Sequence, residues 1–194
     1  MSVTGNFRRV TPEELAFLQE DPLHILPFFG HSNEEEEAEW DDEDELEAEE
    51  AYYAFCDDLK ARDVHLWIDK AWDALHFLLN GQAEGGETPL RWAVMGNEEL
   101  PGKVDVGYGP ASFLTAAEVK AISELLEALT EDDLRRNFDL DAMNAAPVYP
   151  ASDTDREPTW VQESFPWLWQ TFESVRRFYQ IAAANGEAML LWLN

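Results

Sequence analysis

The run from His65 to Gly81, HLWIDKAWDALHFLLNG, constrains the fold more than any other part of the chain. From Asp69 to Leu79 its apolar residues recur at helical spacing. Ala71, Trp72, Leu75, Leu78 and Leu79 share one broad face, with Ile68 just before it. Gly81 is the expected stop, because glycine takes the left-handed cap conformation without steric cost. The pattern predicts a short helix buried on one side. Its other face carries Asp69, Asp73, His76 and Asn80 as a polar stripe at i, i+4, i+7 and i+11. Asp73 and His76 are close enough on a helix to pair, and such a carboxylate–imidazole pair can do acid/base work. The structural alternative makes Asp69 an N-cap with Leu66 to Ile68 extended before it, and His76 a tie to a neighbouring element.

Other elements can be placed around this helix. Ser2 to Val10 reads as a strand, with Gly5 as a bend or a close backbone approach. Thr11-Pro12-Glu13-Glu14 is a helix start, and Leu15 and Leu18 face inward. Asp21-Pro22 opens a second short helix that holds His24, read as packed or surface rather than as a ligand. Ala51 to Ala61 reads as helical, with Tyr52, Phe55 and Leu59 on one side. Leu90 to Met95 is a helical turn or a short strand, and Val104 to Val106 a short strand. Thr115 with Glu118 forms a capping box for a helix whose core face is Val119, Ile122, Leu125, Leu126 and Leu129. Thr130 and Asp139 repeat the start signal. A helix near Gln162 to Asn185 ends at Gly186, and Ala188 to Leu193 is an apolar run suited to an interior strand. Together these predict an α+β fold: one domain over residues 1–194, with a small, mainly antiparallel sheet built on the N- and C-terminal strands and packed by several helices.

Several of these runs carry a family resemblance. IDKAWDALHFLLNG, Gly5, Tyr108-Gly109-Pro110, LRRNFDLDAMN from Leu134, Tyr149-Pro150 and FYQIAAANGEAMLLWL occur in one order. In this the chain resembles the YfbM-like family of bacterial proteins of unknown function. The likeness covers nearly all of the chain except about Gly30 to Ala61. It implies an intracellular, single-domain α+β protein and supplies no catalytic residues to carry over.

The residues outside the likeness include the run of acids from Asn33 to Glu50, interrupted by Trp40 and Leu46. A block of like charge self-repels, so residues 31–50 read as a flexible, solvated insertion. The alternating ligands and central glycine of a calcium loop are missing. The run also suits a docking strip for a basic protein, or a phosphate mimic that occupies a nucleic-acid cleft with Trp40 as an apolar anchor. The net charge of the whole chain is −28. That charge opposes binding to nucleic-acid phosphates and to anionic membranes, and it draws in basic partners.

Motifs for chemistry are sparse. GQAEGG from Gly81 lacks the Lys-Ser/Thr of a phosphate cradle, and no HExxH, triad spacing or dinucleotide fingerprint occurs. No zinc ligand set is present, so neither a metal nor another cofactor is expected. Cys56 is the single cysteine, no signal core follows the N-terminus, and no run reaches membrane-spanning length. A cytoplasmic protein is expected.

Two function classes remain. One is a non-catalytic acidic binding protein, inhibitor- or immunity-like, with a basic protein partner. Its binding residues would come from Trp40, Asp69, Asp73, His76 and Tyr108. The other is a small-molecule binder or enzyme in which Asp73, His76 and Tyr108 converge on one pocket. Tyr108 enters both because its Gly107–Pro110 turn is a loop, where functional residues concentrate, although such a tyrosine also serves to anchor a loop. The charge places the binding protein first.

Overall fold

The computed structural model describes residues 3–21, 24, 64–149 and 164–194. Trp40, the acidic run at 31–50, the expected helix at 51–61, most of the short helix after Asp21 and the 151–159 linker lie outside them.

Five strands form one antiparallel sheet in the order β2-β1-β5-β4-β3. They are β1 (Gly5–Val10), β2 (His65–Asp69), β3 (Glu98–Glu99), β4 (Ser112–Leu114) and β5 (Ala188–Leu193). The N- and C-terminal strands are neighbours at the centre, as the apolar runs require. Seven α-helices surround them among the described residues: α1 (Pro12–Glu20), α2 (Trp72–Asn80), α3 (Trp92–Met95), α4 (Ala116–Ala128), α5 (Glu131–Asn137), α6 (Leu140–Ala145) and α7 (Ser164–Asn185). The fold is α+β, as expected.

Alternation along the strands separates two cores. Phe7, Met189, Leu191 and Leu114 point to one face, where α2, α4 and α7 supply Leu75, Leu78, Ile122, Leu126, Phe172 and Tyr179. Val10, Leu190 and Phe113 point to the other, against Leu15 and Leu18 of α1 and against Leu100, Val106 and Ala111. Three helices start on reciprocal capping boxes: Thr11 with Glu14, Thr115 with Glu118, and Thr130 with Asp133. Each satisfies two backbone donors that a helix N-terminus leaves open. Tyr179, fully buried in α7, donates to the Ala93 carbonyl at 2.9 Å and so ties α7 to α3.

Leu125, expected on the core face of α4, is instead 41% exposed, while Val119, Ile122 and Leu126 are buried. The structure departs from expectation at three further places. The helix begins at Trp72 rather than Asp69. Residues 65–69 form a strand, and Asp69 ends it with φ 49, a turn rather than a cap. The cap position is Ala71, which has no side-chain bond. The reason is Gly5: a Cβ there would lie 2.8 Å from Trp72 Cβ and 2.9 Å from Ile68 Cγ1. The bare backbone lets the β2–α2 junction fold onto β1. Second, Val104 to Val106 is not a strand, since Asp105 makes only an isolated bridge to Pro110. Third, β3 and β4 had no counterpart in the expected elements. Of the two options for Leu90 to Met95, the helical turn is the one formed.

Candidate functional site

The polar stripe of α2 is not an open face. Asp73 accepts the Tyr149 backbone N–H at 2.7 Å. Trp72 stacks on Tyr149 with centroids 5.9 Å apart and donates its indole N–H to the Val3 carbonyl at 3.3 Å. The Tyr149 hydroxyl accepts the Val3 N–H. Asp73, Trp72 and Tyr149 thus clamp the start of β1. Burial raises the Asp73 pKa above the usual carboxylate value, and the Tyr149 N–H and the nearby His76 oppose the rise.

His76 is buried, with only 6% of its surface exposed. Burial lowers its pKa, against the Asp73 charge and a hydrogen bond to the Gly85 backbone. The ring is therefore neutral at pH 7. Its Nδ1 has no hydrogen-bond partner among the described residues. Asn80, one turn on, donates to the His76 carbonyl at 2.9 Å and leaves its own Oδ1 buried without a partner among the described residues. The Asn80 carboxamide packs over Gly86, where a Cβ would overlap it.

Tyr108 lies elsewhere. Its backbone N–H bonds to the carbonyl of Leu193, the last residue of β5, at 3.0 Å. Asp105 shapes its turn by accepting from the N–H groups of Gly107 and Gly109. The neighbouring Val106 packs in the core on the face opposite α2. Tyr108 is 47% exposed. The structure therefore brings Asp73 and His76 onto one helix but does not bring Tyr108 to them. Asp69 sits at the sheet end, opposite Gly5. Among the described residues no His, Cys, Asp and Glu cluster could hold a metal ion, and no helix is long and apolar enough to cross a membrane. A surface groove of about 610 Å³ lies between α4 and α7, lined by Glu127, Glu173, Ser174, Arg176, Arg177 and Gln180. None of the sequence candidates lines it.

What the sequence reasoning missed is the outer strand. Trp67, in the middle of β2, is 58% exposed. Its face continues across the sheet through Asn6 to Trp192. His65, two residues before Trp67, stacks on Trp192 with centroids 5.4 Å apart and bonds Asn6 Oδ1 through Nε2 at 3.0 Å. Asn6 donates to Asn194 Oδ1 at 2.9 Å, and Thr4 donates to the same oxygen at 2.7 Å. Partial burial and the nearby Arg8 charge lower the His65 pKa. The result is an aromatic and polar corner on a sheet edge, held by side-chain amides. The signal was present: His65 and Trp67 alternate with Leu66 and Ile68 at period two, the pattern of a half-exposed strand.

Residues 1–192 match DUF1877, a domain of unknown function. The chain belongs to the DUF1877 family. It is 34% identical over 86 residues to Protein YfbM of Escherichia coli strain K12, an alignment that covers 43% of this chain and 50% of YfbM. It therefore spans about half the length of that curated relative. The crystal structure of YfbM from Escherichia coli, a protein of unknown function, superposes with a TM-score of 0.65 at 20% identity, covering 98% of this chain and 99% of that one. At that identity the likeness shows a shared fold.

Proposed function

We propose that the chain is a non-catalytic acidic binding protein whose partner is a basic protein, and that it acts by occupying that partner as an inhibitor or immunity protein does. The observation that carries the reading is Trp67, a large aromatic side chain held open on a sheet edge in a chain of net charge −28. Charge of one sign speeds encounter with a partner of the other, while an exposed aromatic anchor supplies the short-range contact that slows release. Asp69 and Tyr108 border the same end of the sheet, through Gly5 and Leu193. The acidic run at 33–50, with Trp40 as its anchor, adds attraction. The same charge disfavours nucleic acid and anionic membranes.

The test is capture of partners from a lysate of the source organism at low salt, with the native chain and with residues 33–50 replaced by a neutral linker. A basic protein held by the native chain, released by salt and weakened by the replacement supports the reading. Equal recovery of the same proteins by both chains counts against a role for the charge.

A second reading is favoured by one observation. His76 Nδ1 and Asn80 Oδ1 are both buried, one helical turn apart, without partners among the described residues. Such a pair suits a small polar molecule, with Asp73 beside it. Thermal-shift screening tests this: a stabilising compound whose effect vanishes in His76→Phe would support it, and one equally effective on the variant would not.

A further inference from the structure

The register of β1 fixes which way each backbone group of β2 points. Arg9 N–H donates to the Val64 carbonyl at 2.9 Å, so Val64 and Arg9 face each other. Leu66 with Phe7 is the next such pair, because facing alternates along an antiparallel ladder. On the other side of β1, Thr4 and Asn194 exchange both backbone bonds, which turns Asn6 and Arg8 toward β5. The N–H and C=O groups of His65 and Trp67 therefore point away from β1, out of the sheet. None of the described residues bonds to these groups, and β2 pairs with no described strand but β1. The Ile68 carbonyl is already used by Ala71 N–H, which closes the row at its C-terminal end.

We infer that the outer edge of β2 receives an extended, lysine- or arginine-bearing segment of the partner, added to the sheet as a sixth strand. This rests on the basic-partner reading and gives its mode of attachment. Two donors and two acceptors two residues apart are what an incoming strand needs for a ladder. A residue of that strand opposite Trp67 lies on the same face as the indole ring, where a cationic side chain stacks favourably. The charge of the chain selects a basic strand over a neutral one. Edge strands of soluble proteins are commonly guarded by a charge, a proline or a bulge. Here the one bulge is Ile68, the extra residue of β2 opposite the Gly5/Asn6 step at the C-terminal end of the edge, and Trp67 is the outward residue at its centre.

The test is residue-resolved amide exchange on the full chain, with and without a synthetic peptide alternating lysine and valine over about nine residues. At low salt, a saturating amount of peptide should slow exchange at His65 and Trp67 at least tenfold. Leu66, whose N–H already faces β1, should change little, and high salt should reverse the effect. Trp67→Ala should weaken peptide binding while leaving thermal unfolding unchanged. Peptide binding that leaves both amides exchanging as before overturns strand addition and leaves the acidic-binder reading standing. Failure of the peptide to bind also overturns strand addition, and the lysate capture then judges the broader reading alone. Slow exchange at both amides in the free chain overturns the proposal too. If it depends on concentration, the occupant is a second copy; if it does not, it is another segment of this chain.

Discussion

Replacing His76 by Gln tests the burial of the α2 stripe through its pH dependence. The native ring is held neutral because burial lowers its pKa below 6.5, while in the unfolded chain it takes up a proton near that value. For a histidine depressed in the native state, the stabilising contribution is full above pH 6.5 and is lost as pH falls through that value toward the native pKa. Between pH 7 and pH 5.5 a ring that stays neutral in the fold costs at most about 1.2 kcal/mol, since one unmatched proton is worth about 1.4 kcal/mol per pH unit. His65 is shifted in the same direction but is more exposed, so it contributes less. Asp73 has the opposite sign: its raised pKa adds stability as pH falls through the native pKa toward the ordinary value of 3.8. Urea unfolding at the two pH values therefore shows the native chain losing stability on acidification. His76→Gln, a polar residue with no proton to gain, should lose less, by no more than about 1.2 kcal/mol. Equal pH dependence in the variant and the native chain would refute the claim that His76 is buried and neutral.

Other perturbations read the scaffold. Tyr179→Phe strands the Ala93 carbonyl in the core and should cost about 1–2 kcal/mol in chemical denaturation. Gly5→Ala forces a methyl into Trp72 and Ile68 and should cost about 1–3 kcal/mol, lowering the unfolding midpoint and shifting the Trp72 fluorescence environment. Thr115→Ala removes half of a capping box and should cost about 1 kcal/mol, seen as a fall of a few degrees in Tm.

The parts of the fold legible in the sequence are those set by neighbours in the chain. Thr11 with Glu14 and Thr115 with Glu118 are three residues apart, and each box forms as its spacing requires. The apolar run at 188–193 is long enough to identify an interior strand, and that strand is β5. The start of α2 was misplaced because Asp69 resembles a cap locally. Its φ of 49 depends on a β1 glycine sixty-odd residues away. The strands at 98–99 and 112–114 exist through pairing and are too short to carry a period.

The site was less legible for related reasons. A polar stripe on a helix suggests an exposed face, yet His76 is enclosed because the 81–86 turn folds back over it and Asn80. Tyr108 follows a turn whose position is set by β5, so its separation from α2 cannot be read from spacing. Trp67 looks like core material in composition. Only strand order, which leaves β2 outermost among the described strands, turns it into surface.

The most direct test of the account is lysate capture with Trp67→Ala, a variant that leaves the acidic run and the net charge of −28 untouched. Docking at the β2 edge predicts that the basic protein recovered by the native chain is lost or strongly depleted with the variant at the same salt. Recovery of the same protein in the same amount by Trp67→Ala would contradict it and reduce the interaction to charge alone.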